Sequence, residues 1–166
     1  MAVTVRELRE DERGLLREFL YLAIHVPPGA DRPPVEILDE PMLQRYLEGF
    51  GHEAGDLAVA ADQDGTVVGV AWSRMLGGDL PGYGYVDDDT PELAVAVLPD
   101  QRGKGLGGRL VGALMVELAK AGFAQVSLSV DKTNPAQRLY QRLGFVTVRH
   151  DEDDDLVMVR TLVDEQ

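Results

Sequence analysis

Val97-Leu98-Pro99-Asp100-Gln101-Arg102-Gly103-Lys104-Gly105-Leu106-Gly107-Gly108-Arg109-Leu110 joins an apolar strand to a glycine-rich turn and runs directly into an amphipathic helix. Gly103, Gly105, Gly107 and Gly108 allow positive φ and a close approach of main chain to ligand. The first N–H groups of the helix have no partner within it and point outward. Such a turn reads as a cradle for an anion, a pyrophosphate in particular. Arg102 and Lys104 add positive charge.

Outward from this turn the pattern is regular. Glu92 to Val97 forms the preceding strand, apolar without clean alternation and therefore buried on both faces. The following helix, Gly107 to Ala121, carries Leu110, Val111, Leu114, Met115 and Leu118 on one stripe and stops at Gly122, a natural C′ residue. Gln125 to Val130 is a strand, so strand, helix and strand make a right-handed crossover between parallel neighbours. Asn134 caps a last helix with Pro135 at its first position, running to Leu143 and ending at Gly144. Phe145 to Arg149 and Leu156 to Thr161 close the sheet as a hairpin, with the acidic run Asp151-Glu152-Asp153-Asp154-Asp155 as its solvated turn.

Upstream, Asp62-Gln63-Asp64-Gly65 between two apolar runs, Leu57–Ala61 and Thr66–Ser73, marks an antiparallel hairpin. Val3 to Arg6 is a short first strand. Asp11 caps a helix through Ile24 with Leu15, Leu16, Phe19, Leu20 and Ala23 on one face. The proline-rich connection from Pro27 to Pro34 reads as the wall of a substrate pocket, and Glu40-Pro41 starts a short helix carrying Leu43, Tyr46 and Leu47. These elements predict a three-layer α/β fold: a mixed, mostly antiparallel central sheet flanked by helices, in a single domain over residues 1–166.

The chain has 166 residues, 45% hydrophobic, enough for a substantial core, and no cysteine, which excludes disulfides, thiolate metal sites and a cysteine nucleophile. His25, His52 and His150 have no metal-ligand spacing, so no metal is expected. A formal net charge of −13 disfavours nucleic-acid binding. Between Gln101 and Arg142, however, seven basic residues face only Glu117 and Asp131, a local +5 within an acidic chain. With a Debye length of roughly 8 Å, this segment can hold phosphates while the acidic remainder attracts a cationic second substrate. Apolar runs too short for a membrane span and an N-terminus without a signal-peptide core point to a cytoplasmic protein that does not engage membranes.

Two phosphate motifs compete for the glycine turn. No Gly-Lys-Ser or Gly-Lys-Thr follows, which excludes a Walker A loop. Gly103, Gly105 and Gly108 satisfy G-x-G-x-x-G, and Asp131 ends the next strand as a ribose-binding acid does. A dinucleotide turn, however, places its first glycine directly after the strand, and the 35 residues beyond Asp131 are too few to finish a doubly wound sheet.

Arg102-Gly103-Lys104-Gly105-Leu106-Gly107 resembles R-x-x-G-x-G, the acetyl-coenzyme A signature of the GNAT N-acetyltransferases, and Val95-Ala96-Val97-Leu98-Pro99 resembles that family's fourth strand. Asn134-Pro135-Ala136-Gln137-Arg138-Leu139-Tyr140-Gln141-Arg142-Leu143-Gly144-Phe145 is similar to its asparagine-led helix with a tyrosine and a terminal Gly-Phe. Residues 1–90 match in order of elements and not in motif. The resemblance implies the GNAT acyl-CoA N-acyltransferase fold, acetyl-CoA as acetyl donor, and direct transfer to a primary amine of a small molecule or protein.

It also implies roles. Val95, Ala96, Val97 and Asn134 bind the pantetheine arm, and Arg102, Gly103, Lys104, Gly105, Leu106, Gly107 and Gly108 the pyrophosphate; Arg138 or Arg142 reaches the 3′-phosphate. Tyr140 stands near the coenzyme sulfur and protonates or stabilises the departing thiolate. An attacking amine with a pKa near ~10.4 must lose a proton, and Glu92 is the candidate base, directly or through water, with Asp87, Asp88 and Asp89 as alternatives.

For the acceptor, Trp72, Tyr83 and Tyr85 with Asp87-Asp88-Asp89 suggest a pocket for an amine of some apolar character, with Tyr46 and His52 on the opposite wall. Two readings from other classes remain at this stage: a non-catalytic acyl-CoA sensor with the same cradle, and a nicotinamide-dependent oxidoreductase. Homodimerisation through sheet edges or the C-terminal strands is compatible with the pattern, which fixes no oligomeric state.

Overall fold

A computed structural model describes residues 2–151 and 155–162. The chain runs through β1 (Val3–Glu7), a 3-10 turn (Glu10–Leu15) leading into α1 (Leu16–Ala23), a second 3-10 turn (Val35–Asp39), α2 (Pro41–Gln44), β2 (Leu57–Gln63) and β3 (Thr66–Arg74). It continues through β4 (Glu92–Val97), α3 (Leu106–Lys120), β5 (Gln125–Asp131), α4 (Ala136–Arg142), β6 (Val146–His150) and β7 (Asp155–Thr161). The strands form one seven-stranded sheet in the order β1-β2-β3-β4-β5-β7-β6. Among the described residues only β4 and β5 pair in parallel; the other pairings are antiparallel.

Alternation along the strands, interrupted on β3 by the register shift at Ala61/Asp62 that turns Val68 to the face opposite Val70, builds two cores. Val59, Ala61, Val68 and Leu93 meet α3 and Tyr140 on one face. Ala58, Ala60, Val70 and Trp72 meet Phe19, Leu20 and Leu38 on the other. The expected three layers are therefore present. The α3 stripe is the anchor of the first core: Leu110, Val111, Leu114 and Leu118 are fully buried, each worth roughly 1.5–3 kcal/mol relative to exposure. The β2–β3 hairpin turns through Asp64 (φ 53°) and Gly65 (φ 90°), the two left-handed positions a two-residue turn needs.

Several local expectations need correction. The first helical segment opens as a 3-10 turn at Glu10, and its cap comes from Glu12, whose carboxylate accepts the Arg9 N–H at 2.9 Å; Asp11 instead meets the Arg9 guanidinium. Gly107 and Gly108 lie within α3 with ordinary helical backbone, so only Gly103 (φ 79°) and Gly105 (φ 80°) use the left-handed region. The missing side chain of Gly108 serves packing, since a Cβ there would stand 3.3 Å from the Leu139 side chain, whereas one on Gly107 would make an ordinary 3.5 Å contact with it. The second 3-10 turn has no signal in the sequence pattern, and α2 ends before Tyr46 and Leu47. In the acidic run, the Asp151 N–H donates to the Asp155 carbonyl at 2.8 Å, and residues 152–154 lie outside those described.

The β4–β5 junction positions the site. Glu92 and Ser127 are the only partners in register there, and beyond them the two strands part. Two hydrogen bonds set the parity of β4: Ser127 N–H donates to Pro91 O, and Leu98 N–H to Val68 O on β3. Even-numbered β4 residues thus direct their main chain to β3 and odd-numbered ones toward β5. Where the strands separate, the main-chain groups of Val95 and Val97 face the gap and meet no strand partner there among the described residues.

Candidate active site

The gap between β4 and β5 opens into a cleft of about 1120 Å³. Val95 and Val97 line one wall; Ser129, Asn134, Leu139 and Tyr140 line the other. At one end lie Arg102, Gly103, Gly105, Leu106, Gly107 and Gly108, and toward the other Tyr46, Tyr83 and Glu92. The glycine turn therefore opens onto the same space as both candidate catalytic residues. A Cβ at Gly103 or Gly105 would meet nothing within 4 Å, so the turn presents bare main chain to the cleft.

Not every expected residue takes part in the same way. Ala96 lines the cleft but, by the parity above, turns its main chain to β3, where it pairs with Val70. Lys104 lies outside the lining, its ammonium donating to Gln101 Oε1 at 3.3 Å. Arg142 lines the cleft, whereas Arg138 is exposed and does not. Asn134 Oδ1 accepts the Ala136 N–H at 2.9 Å, the helix cap expected, which leaves its amide NH₂ as a donor.

Glu92 is 4% exposed, a buried carboxylate at the sheet's splitting point. Its Oε2 accepts the Tyr46 hydroxyl at 2.5 Å, and its Oε1 has no hydrogen-bond partner among the described residues. Burial pushes the carboxyl up to about 7, against the opposing pull of the Tyr46 hydroxyl, the nearby Gly84 amide and the Arg149 guanidinium. The loop Gly82-Tyr83-Gly84 roofs it: a Cβ on Gly82 would collide with Oε1. Tyr140 is 9% exposed, packs edge-on against Phe145 with centroids 5.9 Å apart, and has its phenol raised to about 12 by burial.

The acceptor wall differs from the sequence expectation. Trp72 is buried, donating its indole N–H to Tyr46 O at 3.0 Å, and so fixes the wall without lining it. Tyr85 and Asp88 bond each other at 2.6 Å, and Asp87 accepts from the Asp89 N–H and the Thr90 hydroxyl. These acids build the loop and do not enter the cleft lining, and neither does His52. Of the proline-rich connection, Arg32 lines the cleft, with Val26 just before the connection. The pairing of Tyr46 with Glu92 had no sequence signal except glycines on both sides of Tyr83. His25 Nε2 also meets Thr133 Oγ1 at 2.9 Å, linking the segment after α1 to the turn after β5; because Thr133 donates to Asp131 at 2.7 Å, Nε2 carries the proton.

A family model described as "Acetyltransferase (GNAT) family" matches residues 19–145. The chain belongs to the GNAT acetyltransferase family. A mycothiol acetyltransferase of Thermobispora bispora is 36% identical over 145 residues, 83% of this chain and 45% of the relative. Another, from Kocuria rhizophila, is 39% identical over 92 residues, 54% of this chain and 28% of the relative. The chain thus spans less than half the length of these curated relatives. Among solved structures, yncA, a putative acetyltransferase from Salmonella typhimurium with acetyl-CoA, superposes with TM-score 0.68 at 21% identity, covering 100% of this chain and 97% of that one. Aminoglycoside acetyltransferase AAC(6')-Ib in complex with coenzyme A gives TM-score 0.60 at 25% identity, covering 96% and 95%. Family and fold agree with the sequence reading.

Proposed function

We propose that this GNAT chain transfers the acetyl group of acetyl-CoA to a primary amine of a small molecule or peptide by direct attack. The observation that carries the reading is the continuous cleft from the bare glycine turn, along the open edge of β4, to the buried carboxyl of Glu92. The residues fit the coenzyme. Main-chain groups of Val95 and Val97 hold the pantetheine arm as a missing strand would, with the Asn134 amide donating beside them. N–H groups of the turn and of the first turn of α3, with Arg102, hold the pyrophosphate, and Arg142 the 3′-phosphate.

Bound acetyl-CoA supplies the activated thioester carbonyl. Glu92, half ionised near neutral pH, takes the proton from the incoming ammonium. Tyr140, at about 12, keeps its own proton and stabilises the departing thiolate of pKa roughly 8.5 by donating a hydrogen bond to it; the second proton, shed by the nitrogen as the amide forms, goes to that thiolate and gives the free thiol. Cleft walls that hold both reactants together supply proximity without a covalent enzyme intermediate.

Calorimetric titration with acetyl-CoA, with NADH as control, tests the cradle. Thiol release is then followed with a panel of primary amines; because relatives are named mycothiol acetyltransferases, the free amine that acetylation would turn into mycothiol belongs in that panel. Saturable thioester binding with amine-dependent thiol release supports the reading, and binding without release by any amine favours a sensor of acyl-CoA. Absence of binding by the folded protein overturns it.

A further inference from the structure

We propose that Tyr46 is a positioning residue for Glu92: its hydroxyl locks Oε2 and leaves Oε1 as the oxygen that receives the proton. This rests on the proposed role of Glu92 as base. Tyr46 is itself held on every side. Its main-chain N–H donates to Leu43 O at 3.1 Å, its carbonyl accepts the Trp72 indole, and its ring stacks on Tyr83 with centroids 6.4 Å apart and planes 17° from parallel. The Tyr83 N–H donates to the Tyr46 oxygen at 2.9 Å, so the hydroxyl hydrogen has one direction left, toward Glu92. A donor fixed this way is a hydrogen bond to the charged form of the carboxyl and lowers its affinity for a proton.

The other groups around Glu92 do not take this role. Arg74 on β3 pairs with it in register, but its guanidinium is engaged by Asp56 at 3.0 Å and by the carbonyls of Arg45 and Glu48. On β5 the register partner is Ser127, which is neutral. From α1, packed on β4, the buried side chains are Leu16, Phe19 and Leu20. The covering loop contributes Tyr83 and the Gly84 amide, and Arg149 on β6 acts from a distance while bonded to Asp151 at 2.7 Å.

The test reads the Glu92 proton directly, with no acceptor needed. Protein labelled with [13C]glutamate is titrated, and the Glu92 carboxyl resonance is assigned by its loss in Glu92→Gln. Tyr46→Phe, which keeps the ring on Tyr83, is expected to move the midpoint upward by about one pH unit or more. 3-Fluorotyrosine placed at position 46, a stronger donor that keeps every hydrogen bond, is expected to move it downward. A midpoint unchanged in both overturns the proposal, because a merely structural tyrosine has no reason to shift it. Failure of the base reading looks different: Glu92→Gln then turns over amines as the parent does, whatever the resonance shows.

Discussion

Gly84 lies against Glu92 so closely that a Cβ on the glycine would stand 3.0 Å from Glu92 Cδ and 2.8 Å from the main-chain carbon of Leu128. The second neighbour is backbone of β5 and cannot swing aside. Gly84→Ala therefore forces apart the loop, β4 and β5 at the point where the two strands begin to separate. It is expected to cost about 1–3 kcal/mol of stability and to lower amine turnover, measured by urea unfolding and thiol release. Unchanged stability would mean that the loop does not press on the carboxyl.

Glu92 makes stability depend on pH in a predictable direction. Its folded value of about 7 lies above its ordinary value of 4.5, so the folded state binds the proton more tightly than the unfolded chain. Its contribution is fully present below 4.5 and is lost as pH rises through about 7. Relative to Glu92→Gln, the parent is expected to lose up to about 3 kcal/mol across that window. Parallel curves for the two proteins, from unfolding at a series of pH values, would place the carboxyl in a solvated setting.

The glycine turn makes a separable prediction. Gly105 has φ 80° with open space around its missing side chain. Gly105→Val strains the backbone by about 1–3 kcal/mol, which a sheet of seven strands survives, and it fills the mouth of the cradle with a branched side chain. Expected is a folded protein with acetyl-CoA affinity reduced at least about tenfold, by calorimetry beside circular dichroism. Retained affinity in the folded variant overturns the cradle.

How far the sequence reaches is set by which interactions are local. The Asp64-Gly65 turn, the α3 stripe ending at Gly122 and the Asn134 cap each depend on residues a few positions apart, so all were legible. The glycine turn was legible as a site but not in its division of labour: nothing local separates Gly103 and Gly105, which need left-handed backbone, from Gly107 and Gly108, which sit in ordinary helix, the latter making room for Leu139 on α4. Trp72 and the Asp87–Asp89 run show the same limit, since an aromatic or a carboxylate is equally suited to a pocket or to holding a loop. The Tyr46–Glu92 bond joins residues 46 positions apart through a turn, a strand pairing and a loop, and only the assembled sheet brings them together.

Tyr140 separates catalysis from packing most cleanly. Its ring is buried against Phe145, and burial alone raises its phenol, so removing the hydroxyl leaves the packing in place. Tyr140→Phe is therefore expected to hold or slightly raise stability, because one polar atom leaves an apolar setting. If the hydroxyl steadies a departing thiolate, the lost hydrogen bond to charge is worth about 1.5–3 kcal/mol, or roughly 10- to 150-fold in kcat, with KM for acetyl-CoA little changed. Thiol-release kinetics at saturating amine read kcat, and thermal unfolding reads stability. A full kcat in a protein of unchanged stability would leave Tyr140 a core residue and assign the thiolate's stabilisation to the main-chain groups along β4.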